Sequence, residues 1–142
     1  MEKISIIDNF LAEEEFVTLR DSIIHSDFQW FFKPTIVYED EEQTICPGQF
    51  IHIVYRQNIP YSEFYHSSNL VHTILKRSNA DILSRIQISC LLRLPEPFVS
   101  SFHIDKIGLD NIRWTTSIFY INTNNGYTEF EDGTKAEVLQ ID

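Results

Sequence analysis

Cysteine is scarce in this chain, which holds only Cys46 and Cys90, far apart and without Cys-x-x-Cys spacing. Neither a disulfide-framework scaffold nor a paired-thiol motif fits so few thiols, and two free cysteines are expected. Long apolar runs are missing as well: nowhere do about eighteen uncharged apolar residues follow one another. The amino terminus, Met1-Glu2-Lys3-Ile4, has no apolar signal core. These absences point to a soluble, cytoplasmic chain. Basic residues are outnumbered, with 11 Lys and Arg against 21 Asp and Glu, for a formal charge of −10. Phosphate backbones and anionic lipids repel such a chain, and no local basic patch offsets the excess, so neither a nucleic-acid nor a membrane partner is expected. Of the 5 histidines, none lies beyond His103.

What is present suffices for one domain over residues 1–142. An apolar share of 43%, with 11 Phe, 6 Tyr and 2 Trp, implies a folded and rather β-rich body with a core of its own. There are no repeats, low-complexity tracts or dividing linkers. Residues 4–7 read as a short strand. Asp8 and Asn9 offer caps for a helix over residues 12–26, whose first turn carries Glu13, Glu14 and Glu15 where the helix dipole favours acids. A β-branched run at 35–38 precedes four acids at 39–42, read as a solvated turn or a cation site. Strand signals span 49–56, and a second helix covers 70–77 behind the capping candidates Ser67 and Ser68.

The second half alternates with period two. Ile86, Ile88, Cys90, Leu92 and Leu94 form an apolar face, with Cys90 read as a small buried hydrophobe. Strands are expected at 98–105, 112–122, 127–130 and 136–139, with hairpin turns at Asn124-Asn125-Gly126 and Asp132-Gly133. Two helices followed by antiparallel strands suggest an α+β, mainly β fold: a double-stranded β-helix, or jelly roll, with supporting amino-terminal helices.

Within that pattern, His103-Ile104-Asp105 carries the chemistry. Residues two apart on a strand project to one face, so an imidazole and a carboxylate held this way grip one metal ion from one side. Two His and one carboxylate make the facial triad of non-heme Fe(II) oxygenases. The tripeptide alone is weak, since composition yields about 0.7 His-x-acid matches by chance. His25-Ser26-Asp27 has the same spelling, but it closes a helical segment in which residues two apart diverge by about 200°, so that pair cannot chelate unless the helix has ended.

Flanking segments add a resemblance. Ile7-Asp8-Asn9-Phe10-Leu11, Phe28-Gln29-Trp30, Phe102-His103-Ile104-Asp105, residues 116–122 and Gly126-Tyr127-Thr128-Glu129-Phe130 occur in an order that resembles the prolyl-4-hydroxylase-like branch of the 2-oxoglutarate- and Fe(II)-dependent dioxygenases, closest to its small phage and bacterial members. The resemblance implies oxidative decarboxylation of 2-oxoglutarate coupled to hydroxylation of a protein side chain or small metabolite. It implies Fe(II), 2-oxoglutarate and ascorbate as cofactors. It places His103 and Asp105 as catalytic iron ligands, and Thr116 and Tyr120, of equal parity, on the 2-oxoglutarate carboxylate. Arg113 and Trp114 stand at that strand's entrance with no motif-fixed role.

The family places a second iron-binding His and a carboxylate-pairing Arg or Lys tens of residues further on. Neither follows here, and only about half of the expected eight strands precede Asp142. The expectation is therefore the amino-terminal part of an oxygenase domain lacking its C-terminal strands, or a split domain completed by another polypeptide. Two other readings stay open: a cupin-like, non-catalytic binding module, and an interaction subunit whose open edge pairs with another chain. The simpler roles of the same residues stay open too. His103 and Asp105 can be a hydrogen-bonded surface pair, Tyr120 a core aromatic and Thr116 an ordinary strand residue. His52, His66 and His72 read as solvent-facing or core-edge residues, His52 being set apart from the other two by its place on an apolar strand. Loops at 39–47 and 106–111 would meet a substrate, whose identity the residues leave open, as they do the oligomeric state.

Overall fold

A computed structural model describes residues 4–35, 48–79, 82–96, 98–100, 102–103 and 114–138. Helices and antiparallel strands are mixed, and no barrel closes among the described residues. The chain divides into two compact units, Ile7–Arg93 and a second formed by Met1–Ile6 with Leu94–Asp142. Each is described by itself.

In the larger unit, helix α1 spans Glu13–Ile24. Its cap is not Asp8 or Asn9. Asn9 turns the chain with φ of 53°, and Ala12 occupies the cap position in extended backbone. Alanine has no side chain with which to cap, so Glu15 supplies the other half of a capping box: its carboxylate accepts the Ala12 N–H at 2.9 Å. The same carboxylate pairs with Arg77 at 2.9 Å, while Arg77 also donates to the Phe10 carbonyl at 3.0 Å. One acid thus organises the start of α1 and fastens it to a distant segment. Leu19 and Ile23, four residues apart, bury the inner stripe of the helix.

Strand β1 (Phe31–Lys33) pairs antiparallel with β2 (Gln49–Arg56), matching Phe31 to Ile51 and Lys33 to Gln49. Phe32 and Phe50 meet edge to face at 5.6 Å. Gln57 and Asn58, at φ of 54° and 63°, make a two-residue turn into β3 (Ile59–Pro60). Positive φ at both central residues gives the turn whose twist suits a hairpin. Two helices follow, α2 (Phe64–Ser67) and α3 (Asn69–Arg77). Strand β4 (Arg85–Leu91) then pairs along the other edge of β2. A bulge between Ile53 and Tyr55 leaves Val54 as the extra residue, and its side chain is fully buried. Val54 joins Leu11, Leu19, Ile23 and Val71 in the core.

β4 departs from the expected burial. Ile86 and Ile88 are half-buried, but Cys90 is exposed, as are Leu91 and Leu92. Alternation put the apolar residues on one face correctly, yet only the part of that face near α2 is covered: Tyr65 stacks on Tyr55 and Phe64 meets the His52 ring, and these two β2 residues are the register partners of Ile86 and Ile88. Ile6 and Ile7 are exposed and residues 4–7 form no strand, because no ladder partner meets them.

In the other unit, β5 (Tyr127–Glu129) and β6 (Lys135–Glu137) form a short hairpin. Asp132 builds the turn by accepting the Thr134 N–H at 2.9 Å, and Gly133 adopts φ of 83°. Hydrogen bonds from the Thr134 backbone and side chain lower the Asp132 carboxyl below its usual 3.8. A depressed carboxyl contributes to the turn above its unfolded value, and the contribution fades as pH falls through the lower, folded value. A pH titration of the Thr134 amide resonance is therefore expected to show a midpoint below 3.8. Across the hairpin, Lys135 meets Glu129 at 3.2 Å and lies 4.4 Å from the centre of the Tyr127 ring. The Glu129 hydrogen bond raises the Lys135 ammonium above its usual value.

Asn124 accepts the Gly126 N–H at 2.8 Å, so the expected turn forms. The ladder expected to lead into it does not: residues 114–122 are in no strand. Likewise the described residues of 98–105 carry none.

Candidate functional site

His103 is exposed, in irregular backbone. Asp105, Ile104, Arg113, the acids at 39–42, Cys46 and the loop at 106–111 lie outside the described residues. Among the described residues, no group of three His, Cys, Asp or Glu side chains is placed to hold a metal. The described donors therefore do not by themselves fit an iron ion; His103 is one nitrogen of the facial set the sequence suggested.

Thr116 is exposed and Tyr120 half-buried. Equal parity brings two residues to one face only in a strand, and no strand runs through them, so the parity argument for a shared face does not hold. Tyr120 instead spans the Asn124–Gly126 turn to reach Thr128, with its hydroxyl 2.6 Å from Thr128 Oγ1. A carboxylate ligand would have to share or displace that bond. Trp114 is half-buried.

The other His-x-Asp meets because the helix has ended before it, the one condition under which the helical argument allows it. Helix α1 ends at Ile24, leaving His25 extended, and Nδ1 of His25 lies 3.7 Å from the Asp27 carboxylate. The same nitrogen accepts the Asp27 N–H at 3.3 Å. With side chains 64% and 88% exposed, this is a local contact in water, worth little.

Among the described residues the polar side chain with both hydrogen-bonding atoms held inside the core is His52, the histidine that the sequence places on an apolar strand. It sits at the middle of β2, 6% exposed, against the Phe28 ring at 4.5 Å. Nδ1 lies 2.7 Å from the Gln29 carbonyl and Nε2 lies 2.7 Å from Ser62 Oγ. A carbonyl only accepts, so Nδ1 carries the proton, and Ser62 donates to Nε2 while accepting the Phe64 N–H at 3.1 Å. Both ring nitrogens are used, which makes His52 a core histidine and leaves no nitrogen for a metal. Its position on an apolar strand was the only signal in the sequence; neither Gln29 nor Ser62 advertises itself.

Among the described residues no helix is long and apolar enough to cross a membrane. Comparison with known proteins yields no matching family, no matching curated protein and no matching solved structure.

Proposed function

We propose that this chain belongs to a 2-oxoglutarate- and Fe(II)-dependent dioxygenase that hydroxylates a protein side chain or a small metabolite on a jelly-roll scaffold. The observation that carries the proposal is the ordered run of segments along the sequence, from Ile7-Asp8-Asn9 through His103-Ile104-Asp105 to Gly126-Tyr127-Thr128. An exposed His103 imidazole is compatible with it, since a metal ligand must be reachable. In this proposal His103 and Asp105 grip the ion, while Tyr120 and Thr116 hold the 2-oxoglutarate carboxylate. The Tyr120 hydroxyl is already oriented by Thr128, so its reorientation toward a ligand is a local rotation.

Calorimetry of the full chain with Mn(II) as a redox-silent probe separates binding from turnover. 2-Oxoglutarate is expected to bind only when Mn(II) is present, and His103→Ala is expected to abolish that metal-dependent binding. Tyr120→Phe should weaken 2-oxoglutarate about fivefold, the worth of one hydrogen bond of roughly 1 kcal/mol. On their own, residues 1–142, with two of the three ligands and no carboxylate-pairing base, should bind Fe(II) weakly and release little succinate; succinate should accumulate once a polypeptide carrying the second His and the Arg or Lys is present. Absence of metal-dependent 2-oxoglutarate binding with those groups present would refute the proposal; metal binding without succinate would then favour a non-catalytic module.

A further inference from the structure

The unit that carries the β5–β6 hairpin has two places where a side-chain carbonyl stands one residue before a glycine nitrogen. Asn125 is the one asparagine of the chain followed by glycine, and Asp132 the one aspartate. At such a pair the glycine nitrogen can close on the side-chain carbonyl carbon to form a five-membered imide, and a glycine, lacking a Cβ, leaves that nitrogen unhindered. As residue types the two pairs look alike. Their hydrogen bonds make them different.

Gly133 donates its N–H to the Phe130 carbonyl at 2.9 Å, inside a turn that the Phe130 N–H closes on the Thr134 carbonyl at 2.9 Å. Freeing that nitrogen means opening the hairpin. The carbon it would attack is also a poor target, because Asp132 presents a carboxylate that the Thr134 hydrogen bonds keep ionised to lower pH than usual. Gly126 is held differently. Its N–H goes to Oδ1 of Asn124 at 2.8 Å, an exposed side chain whose Nδ2 donates to the Asn122 carbonyl at 3.0 Å. Rotation of that one side chain releases the nitrogen with no ladder to break, since residues 121–126 are in no strand. Asn125 is exposed, and among the described residues its amide makes no hydrogen bond. A neutral amide is open to attack where a carboxylate is not.

We propose that Asn125 is a site of spontaneous modification, with the Asn124 side chain as the brake on its rate. The Gly126 nitrogen gives up its proton and bonds to Cγ of Asn125; the Cγ–Nδ2 bond breaks, and the leaving nitrogen takes up a proton through water and departs as ammonia. Water then opens the imide at either carbonyl. Opening at Cγ gives aspartate, and opening at the backbone carbonyl gives isoaspartate; nothing is oxidised or reduced. Either product puts a new carboxylate into the recess that Asn125 shares with Tyr127 and Glu137. Isoaspartate also routes the main chain through the side-chain carbons immediately before β5, and so loosens both the hairpin and the Tyr120–Thr128 bond that spans the turn. The inference is independent of the oxygenase proposal, because it uses neither His103 nor a metal.

The test follows the full chain through prolonged incubation at about pH 7 and about pH 8. Peptide mapping by mass spectrometry locates the amide that becomes an acid, and enzymatic methylation of isoaspartyl carboxyls counts the rearranged product. Asn125 is expected to convert about tenfold faster at the higher pH, because the deprotonated nitrogen is the attacking species, while Asp132 keeps its normal linkage. Asn124→Ala should speed conversion about fivefold, the worth of one ordinary hydrogen bond. Gly126→Ala should slow it, since a Cβ crowds the nitrogen and would meet Asn124 Oδ1 at 3.0 Å. The measurement on the wild-type chain needs no variant to fold. Amides of β5 should exchange faster in the isoaspartate form than in the aspartate form, which carries the same charge. An Asn125 that stays intact, isoaspartate arising at residue 132 as fast as at 125, or an Asn124→Ala variant no faster than the parent would overturn the proposal. Equal exchange of the β5 amides in the two products would overturn the loosening of the hairpin.

Discussion

His52→Leu is expected to destabilise the larger unit by roughly 2–4 kcal/mol, because it leaves the Gln29 carbonyl and the Ser62 hydroxyl without their ring partner. Both bonds are 2.7 Å and the residue is 6% exposed, so water is poorly placed to replace them. Leucine keeps the apolar contact with Phe28 and removes only the polar part, which makes the loss specific. Two further variants divide it. An asparagine amide reaches where Nδ1 stood and keeps the bond to Gln29; a glutamine amide reaches where Nε2 stood and keeps the bond to Ser62. Each should recover about half of the loss. Denaturant midpoints measure all three. A leucine variant as stable as the parent would show that the three segments joined here do not depend on the ring.

Gly48→Ala should cost roughly 2–4 kcal/mol by the same measurement, combining left-handed strain with a steric clash. Gly48 has φ of +72°, and a Cβ there would sit 2.7 Å from Cζ of Phe32 and 3.0 Å from the Lys33 carbonyl oxygen. The ring can swing aside only by giving up its edge-to-face contact with Phe50, and the carbonyl belongs to the β1 backbone. Gly133 provides the contrast. Its φ is +83° but nothing lies within 4 Å of the added atom, so Gly133→Ala should show the conformational part alone, about 1 kcal/mol. Local exchange rates in the β5–β6 turn read that smaller effect.

Periodicity exposed the elements whose faces differ in polarity. The strand at 49–56 has the bounds expected of it, and α3 begins one residue before the expected helix and ends with it at Arg77. The helix expected at 12–26 is shorter at both ends, since Ala12 is a cap and His25 is already extended. Elements with no such contrast stayed hidden. β1 is all aromatic and basic, α2 has only four residues, and the Gln57–Asn58 turn lacks the glycine that normally marks a two-residue hairpin. Asparagine and glutamine accept positive φ here because the β2–β3 ladder holds them. The stretch at 114–122 shows the opposite failure: its residues suit a strand, but a strand exists only when a second one bonds to it. The candidate site was legible as residue types, not as geometry. Tyr120 finds Thr128 rather than Thr116, through a turn that the sequence announced with Asn124 and Gly126.

The order of strands has a consequence during synthesis. β2 is the central strand, and the turn that brings β3 onto it is only two residues long, but β4 comes after both α2 and α3. At typical elongation rates a nascent chain therefore presents one whole side of β2 unpaired for on the order of seconds before β4 emerges. Holding Val54 exposed for that interval makes the emerging polypeptide a natural client for ribosome-associated chaperones. Slow codons between the segments encoding β2 and β4 should lower the yield of folded protein, and faster ones should raise it.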